Sequence, residues 1–131
     1  VSFYLGQIES KPQADLDTLK RNALSLYPTA TFISNSTAKY NCHSYTWYSN
    51  STATNNRWIP NAEPYLSDGS ASRKDPGYSG CKAYWGGGIH SGVVVNISNG
   101  IILSKWGSGP LMQHGPGNCP YSGSISFWSL N

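Results

Sequence analysis

His90-Ser91-Gly92-Val93-Val94-Val95-Asn96-Ile97-Ser98-Asn99-Gly100-Ile101-Ile102-Leu103-Ser104-Lys105-Trp106 is the stretch whose reading decides the fold. Two β-branched apolar runs, Ile89 to Ile97 and Ile101 to Trp106, flank Ser98-Asn99-Gly100, and Asn-Gly between such runs is a strong hairpin signal. Working outward, Ala83-Tyr84-Trp85 upstream and Ile125-Ser126-Phe127-Trp128 downstream read as further strands. The spacing predicts an antiparallel sheet in the C-terminal half, with a Gly/Pro-rich loop over 107–123 before the last strand.

The N-terminal half reads differently. Residues 10–27 carry helix signals: Ser10 and Gln13 at capping-box spacing, Pro12 in the first turn, Asp15 and Asp17 early, Lys20 and Arg21 later. Leu16, Leu19, Ala23 and Leu26 form one apolar stripe, and Tyr27-Pro28 ends the run. Asn41 is placed to cap a second helix over 42–49, with Cys42 in its first turn. Residues 50–80 are rich in Ser, Asn, Pro and Gly and read as loop with one helical turn. Helices first and an antiparallel sheet after them predict an α+β fold in a single domain, 1–131.

Composition bounds the function. The chain has 131 residues, 38% hydrophobic and only 11% charged, with 9 Tyr, 5 Trp, 3 Phe, 14 Gly and 8 Pro. Large rings supply a core, which excludes disorder, while uncharged polar residues supply the surface. No apolar run nears the roughly 20 residues a membrane helix needs. The net charge of +3 comes from scattered cations, which argues against nucleic acid but allows weak attraction to an anionic cell wall. The chain opens at Val1 without an initiator Met, so a removed leader and an extracellular or cell-envelope location are expected. No cofactor is called for, and the cysteine and histidine spacings form no metal motif.

Three cysteines in an exported chain leave one over. Cys81 and Cys119 lie in Gly/Pro-rich loops, so a Cys81–Cys119 disulfide is expected, stabilising by about 3–4 kcal/mol. That leaves Cys42 free at a helix start, where unsatisfied N–H groups favour a thiolate. A nucleophilic thiol needs a base. His43 is its sequence neighbour and diverges around the helix by about 100°; His114 lies in a loop and is expected to be inert. His90, opening a strand after Gly86-Gly87-Gly88, is the better candidate.

Cys at a helix start, Tyr84-Trp85-Gly86, His-x-Gly-Val-Val and a hairpin Asn-Gly, in that order over about residues 40–106, resemble the compact papain-like hydrolases of the NlpC/P60 and CHAP group. Trp47-Tyr48 is similar to the aromatic residues that follow the CHAP cysteine. NlpC/P60 chains usually carry an acidic residue before the cysteine, and here Asn41 stands there with His43 after. The resemblance implies a papain-like architecture with helices packed on the sheet, and a cysteine peptidase or amidase acting on peptide or peptidoglycan-like amides. It also implies a third polar residue on the strand after the hairpin. A two-residue loop puts Lys105 on the face of His90, and a three-residue loop puts Ser104 there. We take Ser104, since a lysine cation opposes the imidazolium of a thiolate pair, although a backbone carbonyl or water could equally orient the ring. Tyr45, Trp47, Tyr84 and Trp85 are expected to line a substrate groove. The alternative from another class is a non-catalytic binding or toxin-like module that holds glycan or protein through an aromatic surface.

Overall fold

The computed structural model describes residues 1–7 and 11–131. In chain order the elements are β1 (Tyr4–Leu5), α1 (Gln13–Leu26), β2 (Thr31–Ser34), α2 (Cys42–Trp47), β3 (Arg57–Trp58), α3 (Glu63–Ser67) and β4 (Ala71–Lys74). Then follow β5 (Lys82–Trp85), a 3-10 turn (Gly86–Gly88), β6 (Ser91–Asn96), β7 (Ile101–Lys105), β8 (Leu111–His114) and β9 (Ile125–Leu130). The fold is α+β: a seven-stranded antiparallel sheet in the order β2-β8-β7-β6-β5-β9-β4, a two-stranded β1-β3 ribbon and few helices.

The predicted strands form, and the sheet recruits others. β2 and β8 pair with each other on one flank, and β4 pairs with β9 on the other. The 107–123 stretch expected as loop therefore contains a strand, and 50–80 contains β3, α3 and β4. β4 reads Ala-Ser-Arg-Lys and has no apolar signal of its own; it is a strand because β9 offers it a ladder. The first helix is shorter than 10–27, and Ser10 of the expected capping box lies outside the described residues. Of the expected stripe only Ala23 is buried, Leu26 is 73% exposed, and Leu24 packs on the core instead.

Period 2 sorts the sheet into two faces. On the even-numbered face of β6 and β7, Val94 and Ile102 join Ala83, Trp85, Met112, Ala23 and Ala30 in the main core. On the odd-numbered face Val93 and Leu103 pack with Tyr40, Tyr45 and Leu111, and the Ser91 hydroxyl accepts from Trp47 Nε1 (3.0 Å). Every residue of α2 is buried there. The hairpin is neither of the two simple loops: Val94 pairs with Ile102 and Asn96 with Ile101, with a bulge between. Ser104 consequently shares the even face with His90, and Lys105 the odd one.

All three cysteines are free and buried, in place of the expected Cys81–Cys119 bridge. Cys81 Sγ accepts from the Tyr78 N–H (3.5 Å), while Cys119 Sγ faces the Tyr121 and Pro116 carbonyls (3.5 and 3.7 Å). Neither residue sits in a floppy loop; both are members of the main core, packed as small apolar groups.

Candidate functional site

Cys42 opens α2 because Asn41 caps it. The Asn41 side chain accepts from the Ser44 N–H (3.1 Å) and also grips Ile59, donating to its carbonyl at 2.7 Å and accepting from its N–H at 3.2 Å. One amide thus fixes the helix start and ties it to the segment after β3. Behind it, the buried Lys105 ammonium donates to the carbonyls of Thr37 (2.6 Å), Gly107 (2.7 Å) and Tyr40 (3.3 Å), holding the approach to α2 against the β7–β8 turn.

The backbone N–H groups of Ser91, His43 and Cys42 itself pull the Cys42 thiol down, and the Lys105 charge acts on it in the same sense. Each favours the thiolate. Burial outweighs them, and the thiol is pushed up to about 11. Cys42 is 5% exposed and carries its proton at neutral pH.

His90 is fully buried. Its ring is stacked on Tyr121, with centroids 3.7 Å apart and planes 10° from parallel, and meets Trp85 edge-on at 4.7 Å. Neither ring nitrogen has a hydrogen-bond partner among the described residues, so the expected Cys42–His90 hydrogen bond is not made. The reason is the pleat: His90 stands on the even face and α2 covers the odd one. What links the two is Ser91, the residue after His90, whose backbone N–H pulls the Cys42 thiol down. Burial first, then the neighbouring His114 and His43, hold the His90 imidazole well below its ordinary range. Both groups are neutral at neutral pH, a thiol and an imidazole, not a thiolate–imidazolium pair.

Tyr121 belongs to both residues. Its ring covers His90, and burial followed by the nearby Cys42 and Cys119 thiols pushes its phenol up, so it stays protonated. Tyr121 sits in the 107–123 stretch expected as a Gly/Pro-rich loop, and nothing in the local sequence marks it for this place.

Ser104 does not orient His90. Its hydroxyl is 2.6 Å from His114 Nε2, while His114 Nδ1 is 2.7 Å from the Gly115 carbonyl. A carbonyl only accepts, so Nδ1 carries the proton and Ser104 donates to Nε2. His114, expected to be an inert loop residue, is therefore a buried member of β8 with both nitrogens engaged. His43 repeats the pattern: Nε2 donates to the Gly88 carbonyl (3.0 Å) and Nδ1 accepts from the Ser91 hydroxyl (2.6 Å). Gly88, at φ 74, is required here, because a Cβ would stand 2.7 Å from the Tyr84 hydroxyl.

The expected groove residues are packing residues. Tyr45, Trp47, Tyr84 and Trp85 are all buried. Tyr45 stacks on Tyr40 (6.1 Å), Trp47 on Tyr65 (5.5 Å), and the Tyr84 hydroxyl donates to Glu63 Oε2 (3.0 Å). They hold α2 and α3 to the sheet because large rings with one polar tip bury well where that tip finds a partner.

Comparison with protein-family models, with curated proteins and with solved structures gives no match for this chain. Among the described residues no group of three or more His, Cys, Asp or Glu side chains is placed to hold a metal ion, and no helix is long and apolar enough to cross a membrane.

Proposed function

We propose that the protein is a cysteine hydrolase of amide bonds, with Cys42 as nucleophile and His90 as general base, resting in a closed form under Tyr121. The observation that carries this reading is His90: a fully buried imidazole with both nitrogens unpartnered among the described residues, next in sequence to Ser91, whose N–H favours the Cys42 thiolate. Burying a polar group without a hydrogen bond costs roughly 1–3 kcal/mol, so such a group calls for a reason beyond packing. A base that must exchange protons with a thiol and a leaving amine supplies one.

In the reaction, with Tyr121 displaced, the His90 ring turns from the even face toward the start of α2, and the Cys42 sulfur attacks the amide carbon as its proton passes to His90. The oxyanion falls to backbone N–H groups at the start of α2, that of Cys42 among them. His90 returns the proton to the leaving nitrogen as the C–N bond breaks, and water then attacks the thioester, giving up a proton to His90 and regenerating the thiol. Displacing Tyr121 lets water reach both groups, which lowers the thiol pKa and raises that of the imidazole. The resemblance of the Cys42 and His90 motifs to the NlpC/P60 and CHAP group extends the proposal to a papain-like architecture and to peptide or peptidoglycan amides outside the cell.

The test is amine release from peptidoglycan fragments and from peptides by the wild type, Cys42→Ala and His90→Ala proteins, with the fold checked by circular dichroism. Loss of hydrolysis in both folded variants is expected; equal turnover by wild type and Cys42→Ala overturns the reading. The burial of the thiol favours a second reading, a non-catalytic binding module. In that case the wild type protein releases no amine, and opening the Tyr121 cover does not change this.

A further inference from the structure

A surface pocket of about 210 Å³, with Cys42 not among its lining residues, is lined by Tyr4, Gln7, Ala38, Trp58 and Ser108. Tyr4 and Trp58 are register partners in the β1-β3 ribbon, and their rings lie 16° from parallel with centroids 6.4 Å apart. Tyr4 is 54% exposed. The ribbon is pinned rather than loose: the Gly6 N–H donates to Asn56 O (2.7 Å), the Gln7 N–H to Ala38 O (3.0 Å), and a Cβ on Gly6 would overlap the Lys39 carbonyl. Next along the same ribbon, the Arg57 guanidinium lies between the Phe3 ring (3.9 Å) and the Tyr48 ring (4.2 Å), both of them exposed.

We infer that this pocket binds a neutral pyranose ring of an oligosaccharide. The exposed Tyr4 ring, backed by the near-parallel, half-buried Trp58 ring, offers an apolar face suited to the C–H groups of a sugar. The Gln7 amide and the Ser108 hydroxyl beside them supply both donors and acceptors for ring hydroxyls or an acetamido group. Among the described residues that line the pocket none carries a carboxyl or amino group, and the groups they offer suit a neutral ligand. Its volume is below the roughly 300–1,000 Å³ of drug-sized sites, which fits one ring rather than a folded peptide. Aromatic pairs in a protein core show no such faces to water, and the buried Tyr40–Tyr45 pair of this chain is the contrast.

This inference does not depend on Cys42 chemistry, and the experiment uses the full chain carrying Cys42→Ala. Tri-N-acetylchitotriose and cellotriose are titrated while tryptophan fluorescence and amide NMR shifts are followed. Saturable binding of at least one, with shifts centred on Tyr4, Gln7 and Trp58, is expected. Tyr4→Ala should weaken it at least about ten-fold with the melting temperature unchanged, and Trp58→Ala should weaken it further. Phe3→Ala, on the opposite face of the ribbon, should leave binding unchanged. Absence of saturable shifts with both sugars, wild type affinity in Tyr4→Ala, or saturation of the same resonances by a short peptide in place of the sugars overturns it. Because the protein tested cannot hydrolyse amides by Cys42, failure here leaves the hydrolase reading untouched, and the reverse holds equally.

Discussion

His43 and His114 occupy two versions of one arrangement, and His90 stands near both without it. In each of the first two, a serine hydroxyl lies 2.6 Å from one ring nitrogen and a backbone carbonyl accepts from the other. His90 is as deeply buried and has neither. The contrast separates two uses of a buried imidazole. A ring with both nitrogens engaged is locked in one tautomer and acts as a structural cross-link, here α2 to β6 and β7 to β8. A ring held only by aromatic faces keeps both nitrogens available, at a cost in stability. Sequence alone ranks these residues by neighbourhood, and it ranked His114 as inert; the hydrogen bonds make it a core residue.

The largest expected effect tests the use assigned to the unpartnered ring. Cys42→Ala and His90→Ala should each lower amide hydrolysis by at least about 10³-fold, and the double variant hardly more, because a coupled pair fails as a unit. Additive losses, measured as kcat/KM on one peptide substrate, would break the claim that the two act together.

Next in size is the stability contrast between the histidines. His114→Phe leaves the Ser104 hydroxyl and the Gly115 carbonyl without their partner in the core, and should cost about 2–4 kcal/mol in urea unfolding. His90→Phe removes a ring that made no hydrogen bond, so it should cost less than about 1 kcal/mol or stabilise. Equal losses at the two positions would mean that His90 is partnered in solution, and the distinction drawn here would fall.

These two histidines also mark how far the sequence was legible. β5, β6, β7 and β9 could be read because each carries its own β-branched or aromatic run, and α2 because Asn41 supplies the cap that the structure uses. β2, β4 and β8 could not, since four-residue strands such as Ala71–Lys74 draw their stability from a ladder partner distant in sequence. The same limit applies to the site. Cys42 and His90 were legible as a helix-start thiol and a strand-start imidazole. The face each occupies depends on the Val94/Asn96 bulge and on which side α2 lands. Tyr121 carries no local signal; its part arises only when the segment before β9 crosses His90.

Smaller again is the effect of the cover. Cys42, with its thiol pushed up to about 11 by burial, should react slowly with iodoacetamide at pH 7.5, the rate rising about ten-fold per pH unit up to that value. Tyr121→Ala admits water to the sulfur and lets the N–H groups of Ser91, His43 and Cys42 act without the burial penalty. Alkylation at pH 7.5 should rise about 10–100-fold, read by mass spectrometry of the Cys42 peptide. An unchanged rate would show that something other than Tyr121 seals the thiol.

The smallest effect is a slope. Burial lowers the pKa of His43, His90 and His114, and His90 the furthest. Each therefore binds fewer protons folded than unfolded just below the unfolded value of about 6.5. The stability this represents is fully present above pH 6.5 and is lost as pH falls toward each folded value, at up to about 1.4 kcal/mol per pH unit for each histidine. The carbonyl bonds to Gly88 and Gly115 pull His43 and His114 back toward ordinary values, so their share should end sooner on acidification. His90 has no such bond, and its share should persist to the lowest pH. Wild type and His90→Phe proteins, unfolded in urea between pH 7.5 and pH 4.5, should thus differ in slope by about 1.4 kcal/mol per unit, with the variant shallower. Parallel curves would show that solvent reaches the His90 ring in the native state, so that it titrates normally and Tyr121 is no cover at all.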